Sequence, residues 1–161
     1  MSIVLISNDK EEYVLIPNEA IRVRVIANSD NEKDIKIKEI IKDKINIELD
    51  KMFINVNNID EVRKIIKNNL VFINKIVDKS LIELDYDMDF SVKYGLNYFP
   101  EKVFKGVNYN EGMYESLVIT LGEGKGPNYW CVLYPPLCSI DNKLEKIEYK
   151  SFIKEMIDKY L

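Results

Sequence analysis

GEGKGPNYWCVLYPPLC, residues 122–138, holds three of the six glycines, three of the five prolines, both cysteines and the only tryptophan of the 161-residue chain. Glycine and proline impose special backbone conformations, and a large aromatic ring with two thiols lies within the same short window. The segment therefore predicts a rigid loop of defined shape, with regular elements on both sides of it.

The glycines of this segment, Gly122, Gly124 and Gly126, permit a tight turn with positive φ or a nest of backbone N–H groups for an anion. A Walker-type phosphate loop needs a glycine five residues before its Gly-Lys pair, where Ile119 stands. It also needs Ser or Thr after the lysine and a helix beyond, and Pro127 disfavours that helix. A dinucleotide fingerprint fails because no helical pattern follows. The residues therefore favour a tight turn.

The two cysteines pose the question of redox state. Cys131 and Cys138 are separated by six residues, among them Pro135 and Pro136. A bond between them would stabilise the fold by about 2.5 kcal/mol through loop-closure entropy. In a reducing compartment they would be two buried thiols, and the residues alone leave both options open. Zinc and a cysteine nucleophile are disfavoured, because the chain has no CxxC pair and no histidine.

Strands are predicted on both sides of the glycine turn. Met113 to Leu121 alternates apolar and polar residues, with Leu117, Ile119 and Leu121 on one face. Tyr129 to Tyr134 is predicted to be its antiparallel partner across the turn.

A third strand is predicted in IRVRVIA, which begins at Ile21 and alternates apolar residues with arginines. Its apolar members, Ile21, Val23 and Val25, are expected to face the core, which places Arg22 and Arg24 on the opposite face. We interpret that face as solvated, with a surface for an acidic partner as the alternative.

Asn28-Ser29-Asp30 ends this strand and begins a turn toward a helix. Ser29 with Glu32 three residues later fits a capping box. A structural cap is therefore one interpretation of the turn. The other is a functional loop, since α/β folds often place such loops where a strand leads into a helix.

Two amphipathic helices are predicted next, as an antiparallel pair that lies on the sheet. The first runs from Asn31 to about Met52, and the second is capped by Asn58 and has an apolar stripe that extends to Val77.

The remaining elements are less regular. Tyr86 to Tyr94 alternates with Asp85, Asp87 and Asp89, which predicts a strand with one acidic, solvated face and not a calcium site. Gly95 to Gly112 is predicted to be irregular, with aromatic residues suited to an interface. A final helix is predicted at about Lys150 to Leu161, with Phe152, Ile153, Met156 and Ile157 buried.

These elements predict an α+β fold: a mixed, mostly antiparallel sheet packed against a helical pair, plus a C-terminal helix. The composition, 47% hydrophobic and 31% charged, fits one globular domain at residues 16–161.

Residues 1–15 are interpreted as an N-terminal remnant or linker without a recognisable export segment, because only Ile3 to Ile6 is continuously apolar. A net charge of −4 gives no reason to expect nucleic-acid binding.

Two segments of the chain resemble a known family. GMYESLVITLGEGKGPNYWCVLYPPLC, residues 112–138, resembles the signature of the stage II sporulation protein R family, in which a pair of tryptophans precedes the first cysteine. Tyr129 replaces the first of those tryptophans. IPNEAIRVRVIANSDN, residues 16–31, resembles the second signature of the family, R-x-R-[VI]-[IL]-A-N-S-[DN]. The resemblance covers about residues 16–151.

The resemblance implies a secreted signal of endospore-forming bacteria, made in the forespore and exported to the space between the forespore and mother-cell membranes. Its expected partner is a membrane-embedded aspartic protease of the mother cell, similar to stage II sporulation protein GA, which then processes pro-sigma-E. The family member is expected to activate this protease and not to be an enzyme itself, so the resemblance implies no catalytic residues, cofactor or metal. The missing export segment is a departure from the family pattern.

Two surfaces are hypothesised to contact the partner. One is the Asn28-Ser29-Asp30 turn, and the other is Gly124-Lys125-Gly126 with Trp130. A bridge between Cys131 and Cys138 would make the second surface rigid and lower the ordering cost of binding. The hypothesis requires the two surfaces to lie close together at one end of the sheet.

Two other functions are compatible with the residues. A hydrolase would use carboxylates with separated pKa values, and its candidates are Asp30, Glu115 and Glu123 with Lys125. It would need two carboxylates that converge in a pocket. An intracellular domain that binds a small molecule or anion would instead use the backbone N–H groups of GEGKG.

Overall fold

The structure is a computed structural model that describes residues 13–138 and 144–161. The described residues form seven strands and four helices, numbered here in chain order. The strands are β1 (Val14–Leu15), β2 (Ile21–Ile26), β3 (Phe90–Phe99), β4 (Lys102–Phe104), β5 (Val107–Tyr109), β6 (Gly112–Leu121) and β7 (Asn128–Tyr134). The helices are α1 (Glu32–Met52), α2 (Ile59–Asn68), α3 (Leu70–Glu83) and α4 (Lys146–Tyr160).

The larger sheet has four strands in the order β3-β6-β2-β7. β2 runs parallel to β6 and antiparallel to β7, and β3 is antiparallel to β6. The predicted hairpin of β6 with β7 is therefore wrong, because β2 lies between them and pairs with both. Val25, for example, is opposite Ile119 on one side and Tyr129 on the other. The chain enters β7 only after it has crossed the end of β2.

One face of this sheet carries α1, α2 and α3. The predicted apolar faces of β2 and β6 are confirmed, since their alternate residues are buried in one cluster with the helical stripes. The main core consists of Ile21, Val23, Val25, Leu117, Ile119, Leu121, Leu133 and Tyr134 from the sheet, with Ile37, Ile41, Ile45, Leu49, Val62, Ile66, Ile73, Val77 and Leu81 from the helices.

The helices differ from the prediction at the cap of the first helix and in the continuity of the second. Asn31, and not Ser29, caps α1, because its side-chain oxygen accepts the Asp34 backbone N–H at 2.8 Å. The second predicted helix is two helices, interrupted at Asn69. The Asn69 amide donates to the Ile65 carbonyl at 2.8 Å and so competes with the helical ladder at that point.

The other face of the large sheet is partly covered by a small sheet, β1-β5-β4, and by α4. Residues 95–112 were expected to be irregular, and this prediction is wrong, because they complete β3 and form β4 and β5. Val107 of β5, Tyr149 and Ile153 of α4 and Val132 of β7 belong to a second buried cluster.

Two element boundaries also differ. β3 begins at Phe90 and not at Tyr86. Asp85 has a φ of 53°, and the backbone N–H groups of Asp85 and Tyr86 donate to the carbonyls of Ile82 and Leu81, so both residues belong to the turn that ends α3. α4 begins at Lys146, and Phe152 is 48% exposed instead of buried. The α+β class, the mixed sheet with mostly antiparallel pairing, the helical layer and the C-terminal helix are confirmed.

No helix in residues 13–138 and 144–161 has the length and apolar character needed to cross a membrane. Residues 14 and 15 form β1, and the Ile3 to Ile6 run considered above lies outside the described residues.

Candidate functional site

The two loops singled out in the sequence lie side by side at one end of the large sheet. The Lys125 N–H donates to the Asn28 carbonyl at 3.1 Å, and the Gly126 N–H donates to the Ala27 carbonyl at 2.9 Å. The Ala27 N–H in turn donates to the Pro127 carbonyl at 3.1 Å. We call the pair of loops, residues 27–31 and 122–127, the loop junction.

Glycine is required at the loop junction because the two loops approach so closely. A Cβ on Gly126 would lie 2.2 Å from the Ser29 carbonyl oxygen, and one on Gly122 would lie 2.1 Å from the Asn28 side-chain oxygen. Gly122 also has a φ of 54°, which an L side chain rarely adopts. The predicted tight turn is therefore present, and its glycines permit contact with the neighbouring loop.

The backbone N–H groups of GEGKG do not form an open anion nest. Gly122 donates to the Asp89 carbonyl at 2.6 Å, Glu123 to the Asn28 side-chain oxygen at 2.8 Å, and Gly124 to the Leu121 carbonyl at 3.0 Å. Together with the bonds from residues 125 and 126, all five donors are used within the protein. This geometry argues against the anion-binding alternative at this loop.

Asp34 of α1, which was not among the predicted site residues, binds the first loop of the loop junction. Its carboxylate is 1% exposed and accepts hydrogen bonds from the Asn28 amide at 2.8 Å, from the Ser29 hydroxyl at 2.6 Å and from the Tyr86 hydroxyl. These bonds, the one from Ser29 above all, lower the pKa of Asp34 below its ordinary value. The available signal was its place three residues after Asn31, as in a capping box.

The predicted contact residues of the loop junction divide into two groups. Asn28 and Ser29 are half-buried, and their side chains bind Asp34, while Asn28 also accepts the Glu123 N–H and so joins the two loops. Asp30 and Lys125 are exposed, and Lys125 forms an ion pair with exposed Glu123 at 3.4 Å. The junction thus presents charged side chains on a rigid support.

Trp130 lies away from this group, on the face of the sheet opposite α1. It is paired with Arg24 across β2 and β7, and its ring is edge-on to Phe99 at 5.8 Å between centroids. The disulfide between Cys131 and Cys138 is present, with 5.4 Å between their Cα atoms. It joins β7 to the segment that follows the two prolines.

Arg22 corrects the expectation of a solvated arginine face, because only Arg24 of the pair is partly exposed. Arg22 is 1% exposed, and its guanidinium carbon lies 4.1 Å from the ring centroid of Phe99 and 4.6 Å from that of Tyr114. Burial lowers its pKa to about 10, although the nearby hydroxyls of Tyr114 and Tyr109 oppose that shift. Phe99 and Tyr109, two of the aromatic residues expected at an interface, instead lie beside this cation, whereas Tyr98 is exposed.

Of the carboxylates proposed for a hydrolase, Asp30 and Glu123 belong to the loop junction, and Glu115 does not reach them. Glu115 accepts a hydrogen bond from the Arg63 Nε of α2 at 2.7 Å and another from the Tyr94 hydroxyl of β3. Six residues of strand, or about 20 Å, separate it from Leu121 at the loop junction. Within residues 13–138 and 144–161 no three Cys, Asp or Glu side chains are grouped as a metal site would require.

Comparison with known proteins gives one family. A family model described as stage II sporulation protein R matches residues 17–144. The chain is 36% identical over 156 residues to stage II sporulation protein R of Bacillus subtilis strain 168, a match that covers 94% of this chain and 70% of that relative. No solved structure matches the chain. The loop junction and the disulfide both fall within the matched residues.

Proposed function

The chain belongs to the stage II sporulation protein R family, and we propose that it is a secreted intercellular signalling protein of sporulation. Its partner is a membrane-embedded aspartic protease of the mother cell. Contact between the two activates the protease, which then processes pro-sigma-E. The chain itself acts as an activator and not as an enzyme.

The observation that carries this proposal is the loop junction. The two segments that resemble the family signatures, residues 16–31 and 112–138, meet there through backbone hydrogen bonds. The Asp34 carboxylate fixes the first loop, and the Asn28 side chain and the backbone bonds fix the second against it, so little ordering entropy is lost when a partner binds. Asp30 and Lys125 are the exposed charges that it offers for recognition.

The disulfide supports the proposed location outside the cytosol. Such bonds persist in oxidising compartments and are rare where cytosolic thiols are kept reduced. The Cys131–Cys138 bridge therefore agrees with a chain that works between the forespore and mother-cell membranes.

A reconstituted processing assay tests the function. Bacteria that do not sporulate would express the mother-cell protease and tagged pro-sigma-E, together with this chain fused to an export signal. Immunoblots would measure the fraction of pro-sigma-E that is cleaved. We expect cleavage with the exported chain and none without it, and absence of cleavage with a folded, exported chain would contradict the proposed activation.

Charge reversal then tests the surface. Lys125→Glu is expected to reduce cleavage several-fold, because a reversed charge at a contact repels the partner group that it formerly attracted. Lys64→Glu, at an exposed position of α2, is the matched control and should leave cleavage unchanged. Equal cleavage with both variants would show that Lys125 is not part of the contact.

A further inference from the structure

A concave site lies on the face of the large sheet opposite α1, between β7 and the small sheet. It is a cavity of about 270 Å³ that Arg22 and Trp130 line from the large sheet. Tyr109 and Tyr149 line it from β5 and α4. Lys102 and Asn128, which also line it, are exposed, so the cavity is open to solvent. We call it the Arg22 cavity.

The guanidinium of Arg22 is unusually placed for a buried cation. Aromatic rings lie over it, with centroids 4.1 Å away for Phe99 and 4.6 Å away for Tyr114. Such contacts use the flat faces of the guanidinium. Its N–H groups lie in the plane and are left for other partners. Nε and Nη1 are buried, and neither has a hydrogen-bond partner among the described residues.

The second observation is the indole of Trp130. Its Nε1–H is also buried without a hydrogen-bond partner in the described part of the chain, and Trp130 lines the same cavity. Buried N–H donors are nearly always paired in proteins, because an unpaired donor loses its hydration without compensation. Two side chains whose donors have no partner among the described residues therefore mark this cavity as a place for a hydrogen-bond acceptor.

The charges of the cavity define that acceptor. Arg22 and Lys102 line it, and no Asp or Glu of the described residues does. Arg22 keeps its positive charge at neutral pH, since its pKa of about 10 is well above 7. A buried cation without a counter-ion is costly, and an anion that accepts hydrogen bonds removes that cost.

We propose that the Arg22 cavity is a binding site for a carboxylate group, which Arg22 and the Trp130 indole bind and which Lys102 attracts at the rim. The aromatic walls take an apolar or flat group attached to the carboxylate. The volume is that of about nine water molecules, at about 30 Å³ each, so the ligand is small or is one side chain of a larger molecule. The site is separate from the loop junction and does not depend on the proposed activation.

The single tryptophan provides a direct probe, because the chain has one indole N–H and hence one indole NMR resonance. We would titrate the oxidised protein with benzoate and follow that resonance. Benzamide, which has the same shape without the charge, is the control ligand. We expect saturation by benzoate with a dissociation constant of about 1 mM, as a ligand of this size permits, and little response to benzamide.

A second pair of ligands identifies the source of the carboxylate. N-acetyl-glutamate amide represents an acidic side chain of a protein, and N-acetyl-glutamine amide is its neutral control. Tighter binding of the glutamate derivative than of benzoate would assign the cavity to a protein side chain. The reverse order would assign it to a small free aromatic acid, and either order supports the carboxylate site.

Two variants connect the response to the residues. Arg22→Met keeps a long side chain without the charge and is expected to weaken benzoate binding about 10- to 100-fold. Lys102→Met should weaken it only about 2- to 5-fold, and Lys64→Met, far along the chain on α2, should not change it. Because Lys102 is exposed, its variant keeps the fold even if Arg22→Met does not.

Three results would overturn the proposal. The first is a Trp130 resonance that no carboxylate shifts in a saturable way. The second is an equal response to benzoate and benzamide. The third is unchanged benzoate affinity in folded Arg22→Met or, if that variant does not fold, in Lys102→Met.

Discussion

Asp34 and Arg22 are both charged, and each is 1% exposed, yet their surroundings differ completely. The carboxylate of Asp34 has three side-chain donors, two of which lie in a loop that it helps to fix. The guanidinium of Arg22 is enclosed by rings and leaves two nitrogens without a hydrogen-bond partner among the described residues. A buried charge whose hydrogen bonds are all made within the protein stabilises the fold. A buried charge whose donors are left unpaired can use them to bind a ligand.

The same contrast extends to the two regions around these residues. At the loop junction the five N–H groups of GEGKG are all bonded, so only its exposed charges remain for a partner. In the Arg22 cavity the buried donors of Arg22 and Trp130 have no partner among the described residues, and exposed Lys102 lines the same cavity. We therefore expect changes at the junction to affect stability strongly, and changes at Arg22 to affect it little.

The largest effect is expected from Asp34→Ala. The variant leaves the Asn28, Ser29 and Tyr86 donors unpaired, which should lower the free energy of unfolding by about 4 kcal/mol. Asp43→Ala, at an exposed position of the same helix, is the control and should cost less than about 0.5 kcal/mol. Urea denaturation measures both, and a loss below about 1 kcal/mol for Asp34→Ala would refute the role given to the carboxylate.

Removal of the disulfide should have the next largest effect. The double variant Cys131→Ser with Cys138→Ser is expected to lose about 2.5 kcal/mol, since the cross-link closes a loop of about eight residues. The unfolding midpoint in urea, measured with and without a reducing agent, checks this. Reduction should lower the midpoint of the wild type and leave that of the double variant unchanged. A wild type insensitive to the reductant would show that the bridge adds no stability.

Gly126→Ala should cost about 2 kcal/mol, because the added methyl would overlap the Ser29 carbonyl and push the two loops apart. Gly95→Ala on β3 is the matched control, since a Cβ there meets nothing within 4 Å. It should be neutral or slightly stabilising, as alanine is favoured over glycine in a strand. Thermal unfolding of the two variants gives the comparison, and similar midpoints would mean that the loops are not in tight contact.

A smaller effect is expected in the pH dependence. Because folding lowers the pKa of Asp34, its stabilising contribution is complete above the ordinary aspartate pKa of about 4 and is lost as the pH falls further. The difference in unfolding free energy between the wild type and Asp34→Asn should therefore shrink below about pH 4. Urea titrations across the acid range test this, and a difference that grows with acidity would have the wrong sign.

Much of the main core followed from the sequence. The alternation in β2 and β6 and the stripes of the helices identified the buried residues, because one buried face requires that pattern whatever the topology. The pairing of β7 did not follow. A turn between two strands suggests a hairpin, and only the distant β2 shows that a third strand enters between them.

The candidate sites followed in part. The loop junction was expected on the condition that its two segments meet, and they do. Arg22 was misjudged, because the rings that bury it come from β3 and β6, more than 70 residues later in the chain. Alternation assigns a residue to a face of the sheet, but it does not say what covers that face. The aromatic residues between 94 and 114 were the available signal.

The most direct test of this contrast is the unfolding free energy of Arg22→Met in urea, measured beside the wild type without any ligand. We predict a value within about 1 kcal/mol of the wild type, or a gain, because the loss of the ring contacts is offset by the removal of an unpaired buried charge. A loss of more than about 3 kcal/mol would contradict the account. Arg22 would then stabilise the fold without a bound anion, as Asp34 does with its own hydrogen-bond donors, and its unpaired nitrogens would no longer indicate a binding site.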